Sequence, residues 1–512
     1  MPKELIAVLD FGGQYSHLIT RRIRECEVYS ELVSHTTPAK DLLKLGAKGI
    51  VLSGGPASVY DEGAPKCDPE IFRMHIPVLG ICYGLQLMTQ MLGGKVRATH
   101  RHEYGKTLLE INDKSDLFQG INNEIVSWMS HGDYAETLPR HFDIIGSSEN
   151  CATAAVRDHT RRLYGVQFHP EVAHTESGTE ILRNFVVGIC GCSPNWNPHS
   201  IIETAVRQIR NEIGDQYVLT AVSGGVDSTT TAVLMQKAVG DRLSCVFVNH
   251  GLLREGEAES ILRALREDLK LEVIYVDASK RFLDRLKGVK DPEEKRKVIG
   301  EEFIRVFDEE SKKLGSYQWL AQGTLYPDVI ESAGTGSPAS RIKTHHNVGG
   351  IPEWSRFRII EPLKFLYKDE VRRIAKELGL PNAIAKTHPF PGPGLGVRVV
   401  GEVTEDKLRI CRRASAIVEE VLKRRGLYES VWQAFAVVGD DEAVGVLGDQ
   451  RKLGHIVTVR IVKSLDGMTA DWARVPDDVL EEISSRITGE VSGVTWVSYA
   501  TTSKPPSTIE PC

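Results

Sequence analysis

No run of apolar residues in this chain is long enough to span a bilayer, which argues against a helical membrane protein and against a membrane as partner. No charged and apolar leader opens it: Met1-Pro2-Lys3-Glu4 passes directly into a short strand-like segment, so no secretory signal is expected. The nine cysteines lack the paired spacing of a disulfide scaffold, and a reducing cytoplasm is the expected compartment. Cys190 and Cys192 form a lone C-x-C pair without a second cluster, which reads as two structural thiols rather than a zinc site. Excess positive charge is also missing. The net charge of −6 argues against nucleic acid as a partner, while leaving room for a local basic pocket. Despite 46 Gly and 23 Pro there is no low-complexity tract and no internal repeat. What is present is ordinary for a globular protein, 41% hydrophobic and 26% charged, and 512 residues are too many for one core.

The most informative segment is Ser223-Gly224-Gly225-Val226-Asp227-Ser228. It follows an apolar strand pattern, Tyr217 to Val222, and precedes a helix pattern, Thr229 to Val239. A glycine-rich turn between strand and helix offers backbone N–H groups and a helix N-terminus to an anion. The lysine of a Walker loop is missing, so this is not the usual γ-phosphate cradle. The segment resembles the pyrophosphate loop of the ATP pyrophosphatases, which cleave ATP to AMP and pyrophosphate. That resemblance implies ATP contacts from Ser223, Gly224, Gly225, Val226, Asp227, Ser228 and Thr229. Asp227 is the natural ligand for Mg2+, which needs hard oxygen donors and bridges phosphates.

The second strong segment is Gly80-Ile81-Cys82-Tyr83-Gly84, a G-x-C-x-G pattern between the strand run Pro77 to Gly80 and the helix run Leu85 to Leu92. Flanking glycines permit a sharp elbow that exposes the thiol above a sheet, and the helix N-terminus favours the thiolate. A nucleophile needs a base, and the base needs an orienting group. Leu163-Tyr164-Gly165-Val166-Gln167-Phe168-His169-Pro170-Glu171 supplies both: His169 can take the thiol proton and Glu171 can hold the imidazole tautomer. From Asp10-Phe11-Gly12-Gly13-Gln14-Tyr15 through Glu171 the chain resembles the triad-type glutamine amidotransferases. The resemblance implies hydrolysis of glutamine through a γ-glutamyl thioester, with release of ammonia. It also implies an oxyanion site from the N–H groups of Gly55, in Ser53-Gly54-Gly55-Pro56, and Tyr83.

Nitrogen from glutamine combined with adenylation by ATP defines an amidating ligase. Taken together, the segments resemble the glutamine-hydrolysing guanosine monophosphate synthetases over nearly the whole chain. The most specific pieces are GTLYPDVIES (residues 323–332), IKTHHNVGG (342–350), HPFPGPGLGVR (388–398) and the tail Ser503 to Glu510. The resemblance implies a lid that assists adenylation, with Asp328, Glu331, Lys343 and His345. It implies binding of xanthosine monophosphate (XMP) by Arg296, Gln433, Lys504 and Glu510, and a homodimer formed through the C-terminal domain. The adjacent His345-His346 pair suits a phosphate-facing lid better than zinc.

The expected fold class is α/β: two mostly parallel, helix-flanked sheet domains and a small α+β domain. Residues 1–195 form the amidotransferase domain. Residues 196–390 form an ATP pyrophosphatase domain like the adenine-nucleotide α-hydrolases. Residues 391–512 form the dimerisation and acceptor-binding domain. Ser193-Pro194-Asn195-Trp196-Asn197-Pro198 reads as the linker and HPFPGPGLG as an irregular second boundary. Three positions depart from the family: the ending Pro511-Cys512 in place of Trp-Glu, Trp496 where many members carry Arg, and Asn249 where an acid is usual. A tRNA-modifying sulfur transferase would need catalytic cysteines in the ATP domain, where Cys245 alone lies in an apparent buried strand. A catalytically silent sensor is disfavoured by the intact Cys82, His169 and Glu171.

Overall fold

The computed structural model describes residues 4–315, 317–333, 357–381, 384, 388–447, 449–464 and 469–512. They separate into two compact units, Met1–Ile201 and Ile202–Cys512.

The strands of the first unit are β1 (Leu5–Asp10), β2 (Ser30–Ser34), β3 (Ala47–Leu52), β4 (Val78–Ile81), β5 (Lys95–Ile111), β6 (Glu124–Thr137), β7 (Asp143–Ser147), β8 (Ala155–Asp158) and β9 (Leu163–Val166). They make one sheet in the order β2-β1-β3-β4-β9-β8-β7-β5-β6. From β2 to β9 every neighbouring pair is parallel. From β9 to β6 every pair is antiparallel. The sequence explains the difference. β4 and β9 are buried at every position, as strands covered on both faces must be. The first half of β6 alternates buried and partly exposed residues, the mark of a strand covered on one face. The parallel arrangement has a chemical consequence. The C-terminal ends of β1, β3, β4 and β9 all point the same way, so the loops after them gather along one edge of the sheet.

Trp196, in the segment expected to be a linker, is buried against this unit. Its N–H donates to the Glu27 carbonyl at 2.7 Å, and its ring lies 4.7 Å from the ring of Tyr29. The chain therefore leaves the first unit only after Trp196 is seated.

The second unit contains β10 (Val218–Ala221), β11 (Leu243–Asn249), β12 (Val273–Asp277), β13 (Trp319–Ala321) and β14 (Arg358–Ile360). All neighbours are parallel in the order β12-β11-β10-β13-β14. The strand order reverses between β10 and β13, and the carboxyl ends flanking such a switch point are where open α/β sheets take ligands. SGGVDS follows β10 and GTLYPD follows β13.

A further sheet is built from β15 (Gln433–Leu447), β16 (Gln450–Lys463), β17 (Asp471–Trp472) and β18 (Val494–Tyr499). Its long companion helix, Glu405–Arg424, shows why it forms. Thr404 accepts the N–H of Lys407, Glu405 and Asp406 occupy the first turn, and Lys423 and Arg424 the last, all favourable to the helix dipole. Leu408, Cys411, Val418 and Leu422 make its buried stripe. One apolar core runs through the second unit, from Leu219, Val246, Leu252 and Leu395 to Ile410, Val459 and Val494. Arg412 of the long helix donates to the carbonyls of Gly251 and Leu253, just beyond β11.

The segment HPFPGPGLG, expected to be irregular, contains one 3-10 turn at Gly394–Val397. Gly394 has φ +61°, and a Cβ there would meet the Leu252 carbonyl oxygen at 2.4 Å, so only glycine lets the turn close on the core. Among the described residues no helix is long and apolar enough to cross a membrane.

Candidate active sites

Cys82 sits between β4 and the helix Tyr83–Met91, with φ +52° and ψ −106°. A non-glycine residue in such a conformation stores about 1–3 kcal/mol of strain, which the surroundings must offset. Those surroundings are tight. A Cβ on Gly80 would meet the Gly84 carbonyl carbon at 2.6 Å, and one on Gly84 would meet the Leu52 carbonyl oxygen at 2.4 Å. Both glycines of the G-x-C-x-G pattern are therefore steric requirements of the elbow.

The loops after β3 and β9 close over the thiol. Without its hydrogens replaced, Gly54 just fits: a Cβ there would lie 3.2 Å from His169 Cε1 and 3.9 Å from Cys82 Cβ. A Cβ on Gly55 would lie 3.4 Å from Tyr83 Cγ, so the two residues expected to donate oxyanion N–H groups are neighbours. Ser53 holds this loop by accepting the Phe11 N–H at 3.1 Å and donating to the Gly54 carbonyl at 2.9 Å.

His169 Nδ1 lies 2.7 Å from Glu171 Oε1, and both residues are buried. Burial of the imidazole opposes its charging. The Glu171 carboxylate and the Cys82 thiol outweigh that and raise the His169 pKa well above the ordinary histidine value. The second Glu171 oxygen has no hydrogen-bond partner among the described residues. The ring is held further by an edge contact with Tyr15 at 5.2 Å. Gln167 Nε2 is 3.6 Å from Cys82 Sγ, and the Ser130 carbonyl accepts from the thiol at 3.7 Å. Gln86 donates to the Asp133 carbonyl at 2.7 Å. The sequence reading did not single out Ser130-His131-Gly132-Asp133, because its nearness to Cys82 and Gln86 comes from sheet pairing and not from spacing along the chain.

At the switch point of the second sheet, the helix Val226–Val239 begins inside the glycine loop, so Val226, Asp227 and Ser228 form its first turn. Ser223 and Ser228 close the loop: their hydroxyls lie 3.0 Å apart, and Ser228 Oγ accepts the Ser223 N–H at 3.1 Å. Gly224 takes φ +76°. A Cβ on Gly323, after β13, would lie 3.3 Å from the Asp227 carbonyl oxygen, which brings the GTLYPD segment against the loop. Asp227 Oδ2 pairs with Lys368 Nζ at 2.5 Å. Its Oδ1 is buried with no hydrogen-bond partner among the described residues. A buried carboxylate oxygen left unpaired beside the amides of a glycine loop is the donor a hard cation requires, so the residues fit Mg2+. Thr229 Oγ1 is likewise buried and unpartnered. Lys368 was not anticipated; it lies 141 residues from Asp227 and outside any phosphate-loop pattern.

Of the residues expected to form a lid, Asp328 accepts the Leu325 N–H at 3.1 Å and so caps its own helix, Tyr326–Ala333. Glu331 belongs to that helix. Lys343 and His345 lie outside the described residues.

The acceptor residues divide into groups. Glu510 accepts two bonds from the buried Arg398, at 2.9 and 3.0 Å, and one from Gln433 Nε2 at 2.6 Å. Arg398 stacks on Phe435, its guanidinium carbon 4.1 Å from the ring centroid. Arg460 gathers the tail through the carbonyls of Thr502 and Thr508. Arg296 bonds the terminal Cys512 oxygen. Lys504 pairs by its backbone with Ala470 and lines a cleft of about 730 Å³ together with Lys463, Ser464 and Asp471. Sequence reasoning gave no role to Arg398, the last residue of HPFPGPGLGVR, or to Arg460, which lies in no quoted motif. The three departures have plain local roles. Asn249 accepts the Gly251 N–H and donates to Tyr275 Oη, and Trp496 donates to the Val444 carbonyl while its ring is 56% exposed. Cys512 Sγ donates to the Val399 carbonyl at 3.8 Å.

The elbow thiol with its buried imidazole and carboxylate belongs to a class-I glutamine amidotransferase unit, and the family described as Glutamine amidotransferase class-I matches residues 7–189. At the other end, the family described as GMP synthase C terminal domain matches residues 420–511. The whole chain has full-length relatives. It is 53% identical to a GMP synthase [glutamine-hydrolyzing] of Synechocystis, covering 99% of this chain and 95% of the relative. It is 55% identical to that of Carboxydothermus hydrogenoformans, covering 99% of each. A third, from Thermosynechococcus vestitus, is 54% identical over 100% of this chain and 97% of the relative. The chain belongs to the glutamine-hydrolysing GMP synthases.

Proposed function

We propose that the chain converts XMP to GMP, drawing ammonia from glutamine and activating the acceptor with ATP. The observation that carries this reading is the presence of two chemical centres in one chain of this family: a thiol–imidazole–carboxylate line in the first unit and a glycine loop at the switch point in the second.

In the first centre His169 takes the Cys82 proton, and the thiolate attacks the glutamine amide carbon. Glu171 holds the ring with Nε2 toward the thiol and balances the imidazolium that forms. The N–H groups of Gly55 and Tyr83 are the candidate donors to the tetrahedral oxyanion. The imidazolium returns its proton to the departing ammonia, and water then cleaves the thioester with the same base.

In the second centre the loop 223–229 receives the ATP phosphates, and the helix dipole at Val226 favours their charge. Asp227 would hold magnesium, which would supply charge neutralisation to the pyrophosphate as it leaves the α-phosphorus. The xanthine carbonyl oxygen attacks the α-phosphorus, giving an adenyl-XMP intermediate and pyrophosphate. Ammonia then displaces AMP. Arg296 and Lys504 suit the acceptor phosphate and Glu510 the ribose hydroxyls; Asp328, Glu331, Lys343 and His345 are the lid. On this reading residues 391–512 are the acceptor-binding part, 196–390 the ATP-binding part and 1–195 the glutaminase. Nine free thiols suit a reducing cytoplasm.

The test is a single mixture of protein, ATP, Mg2+, XMP and glutamine in which pyrophosphate, AMP and GMP are measured together. Equal amounts of all three are expected. Pyrophosphate without GMP would keep the adenylation site and reopen the identity of the acceptor or the transfer of ammonia, and no pyrophosphate would remove the ligase reading.

We also propose a homodimer through the C-terminal sheet. Val444 and Leu453 face each other across β15 and β16, and both are exposed, as are Val446 and Trp496 beside them. Such an apolar group is uncommon on a surface that meets only water. Sedimentation velocity at micromolar concentration is expected to give a dimer, and the double change Val446→Glu, Leu453→Glu a monomer. A monomeric parent protein would refute this.

A further inference from the structure

One buried ionisable pair has no part in the chemistry above. Glu103 and His131 are opposite each other on β5 and β6, and each is 5% exposed. His131 Nε2 lies 3.2 Å from Glu103 Oε2, and His131 Nδ1 lies 3.1 Å from the Asp133 carbonyl oxygen, so each ring nitrogen faces an oxygen. Ser148 Oγ donates to Glu103 at 3.0 and 3.2 Å and itself accepts the Cys151 N–H at 3.1 Å. Burial works against the Glu103 charge, but His131 and Ser148 together hold its carboxyl below the usual glutamate range. A carboxylate–imidazole pair this deeply buried is a poor source of net stability, because desolvation offsets most of the attraction. Its placement suggests a different use.

The ring clamps the 130–133 stretch of β6. That stretch lays two carbonyls along the elbow: the Ser130 oxygen 3.7 Å from the Cys82 sulfur and the Asp133 oxygen 2.7 Å from Gln86 Nε2. Ser58 Oγ donates to the Asp133 carboxylate at 2.6 Å and pins its outer edge. We infer that Glu103 and His131 are positioning residues for glutamine: they fix the 130–133 backbone, whose Ser130 carbonyl at the thiol pocket receives an N–H of the substrate. This rests on the reading of Cys82 as the glutaminase nucleophile. A carbonyl held in place binds the substrate and the transition state alike, so its loss raises KM and spares kcat.

Glu103→Ala in the full-length protein is expected to raise the KM for glutamine about tenfold and to leave kcat within about twofold. GMP synthesis from added ammonium is expected to be unchanged. Glu103→Gln, which keeps an acceptor for Ser148 and the side-chain shape, is expected to recover part of the KM. An unchanged KM overturns the inference. So does a fall in kcat alone, which would put the pair in the thiol chemistry, and so does an equal loss of ammonium-supported synthesis, which would make it a fold element. Cys82→Ala in the same assay separates the two readings. If that variant still hydrolyses glutamine, the nucleophile assignment fails; if it is inert while Glu103→Ala keeps the parent KM, only the positioning role fails.

Discussion

Cys82→Ala is expected to lower glutamine-supported GMP synthesis at least about a thousandfold while ammonium-supported synthesis stays within about twofold of the parent. The size follows from the chemistry. Without the sulfur no thioester forms, and water would have to attack an unactivated amide. The selectivity follows from the architecture, since the thiol belongs to Met1–Ile201 and the glycine loop to Ile202–Cys512. Alanine accepts the elbow φ of +52° no worse than cysteine does, and it leaves Gly80 and Gly84 in their required contacts. The fold should therefore survive, which a melting curve within about 2 °C of the parent would verify. GMP measured with glutamine and, separately, with ammonium chloride decides the matter. Equal loss of both would mean the sites do not act separately. Retained glutamine use would mean Cys82 is not the nucleophile.

The elbow was legible because its signal is local. Two glycines, a cysteine and a strand-to-helix change of periodicity lie within a few residues, and each is required by sterics at the place where it stands. The parallel strands were legible for a similar reason: doubly covered strands such as β4 read as unbroken apolar runs. The antiparallel half of the first sheet was not, because the long β5–β6 hairpin mixes polar and apolar residues and includes an irregular register between Ala98 and Glu103. The glycine loop was read correctly as a turn before a helix, but the helix starts at Val226 rather than Thr229, since a helix N-terminus needs only a permissive residue ahead of it and Gly225 supplies that.

What sequence could not give are pairings between distant residues. His131 and Glu103 are 28 positions apart, Arg398 and Glu510 are 112 apart, and Asp227 and Lys368 are 141 apart. Neither Glu103 nor Lys368 has a motif, and Arg398 closes HPFPGPGLGVR without a role assigned to it; in each case the meaning of the residue comes from its partner. Arg398 is the clearest example. It closes a proline- and glycine-rich segment, is buried, and carries the Glu510 carboxylate on a bidentate pair backed by two phenylalanine rings.

The same reasoning makes Asp227 the most consequential residue of the second centre. Asp227→Asn is expected to reduce ATP- and XMP-dependent pyrophosphate release by about a hundredfold or more, and to leave glutamine hydrolysis at Cys82 in place. Two effects of the substitution must be weighed. As a first-turn acid the residue stabilises its helix through the dipole by about 0.3–1 kcal/mol, and asparagine gives up part of that. A hundredfold rate loss corresponds to about 2.7 kcal/mol of transition-state stabilisation, so the dipole cannot account for it. The larger effect is the loss of a hard anionic oxygen. Asp227 Oδ1 is buried and unpaired among the described residues, while Oδ2 meets Lys368. Asparagine keeps the shape and one acceptor but removes the charge that a divalent cation and the lysine both require. Raising the magnesium concentration should therefore restore part of the rate in the variant and little in the parent. Pyrophosphate release measured across a magnesium series, with glutaminase activity followed in the same samples, distinguishes the possibilities. An unchanged rate and an unchanged magnesium dependence would remove Asp227 from the metal site. Loss of glutaminase activity in parallel would show that the substitution damages the protein as a whole rather than one centre.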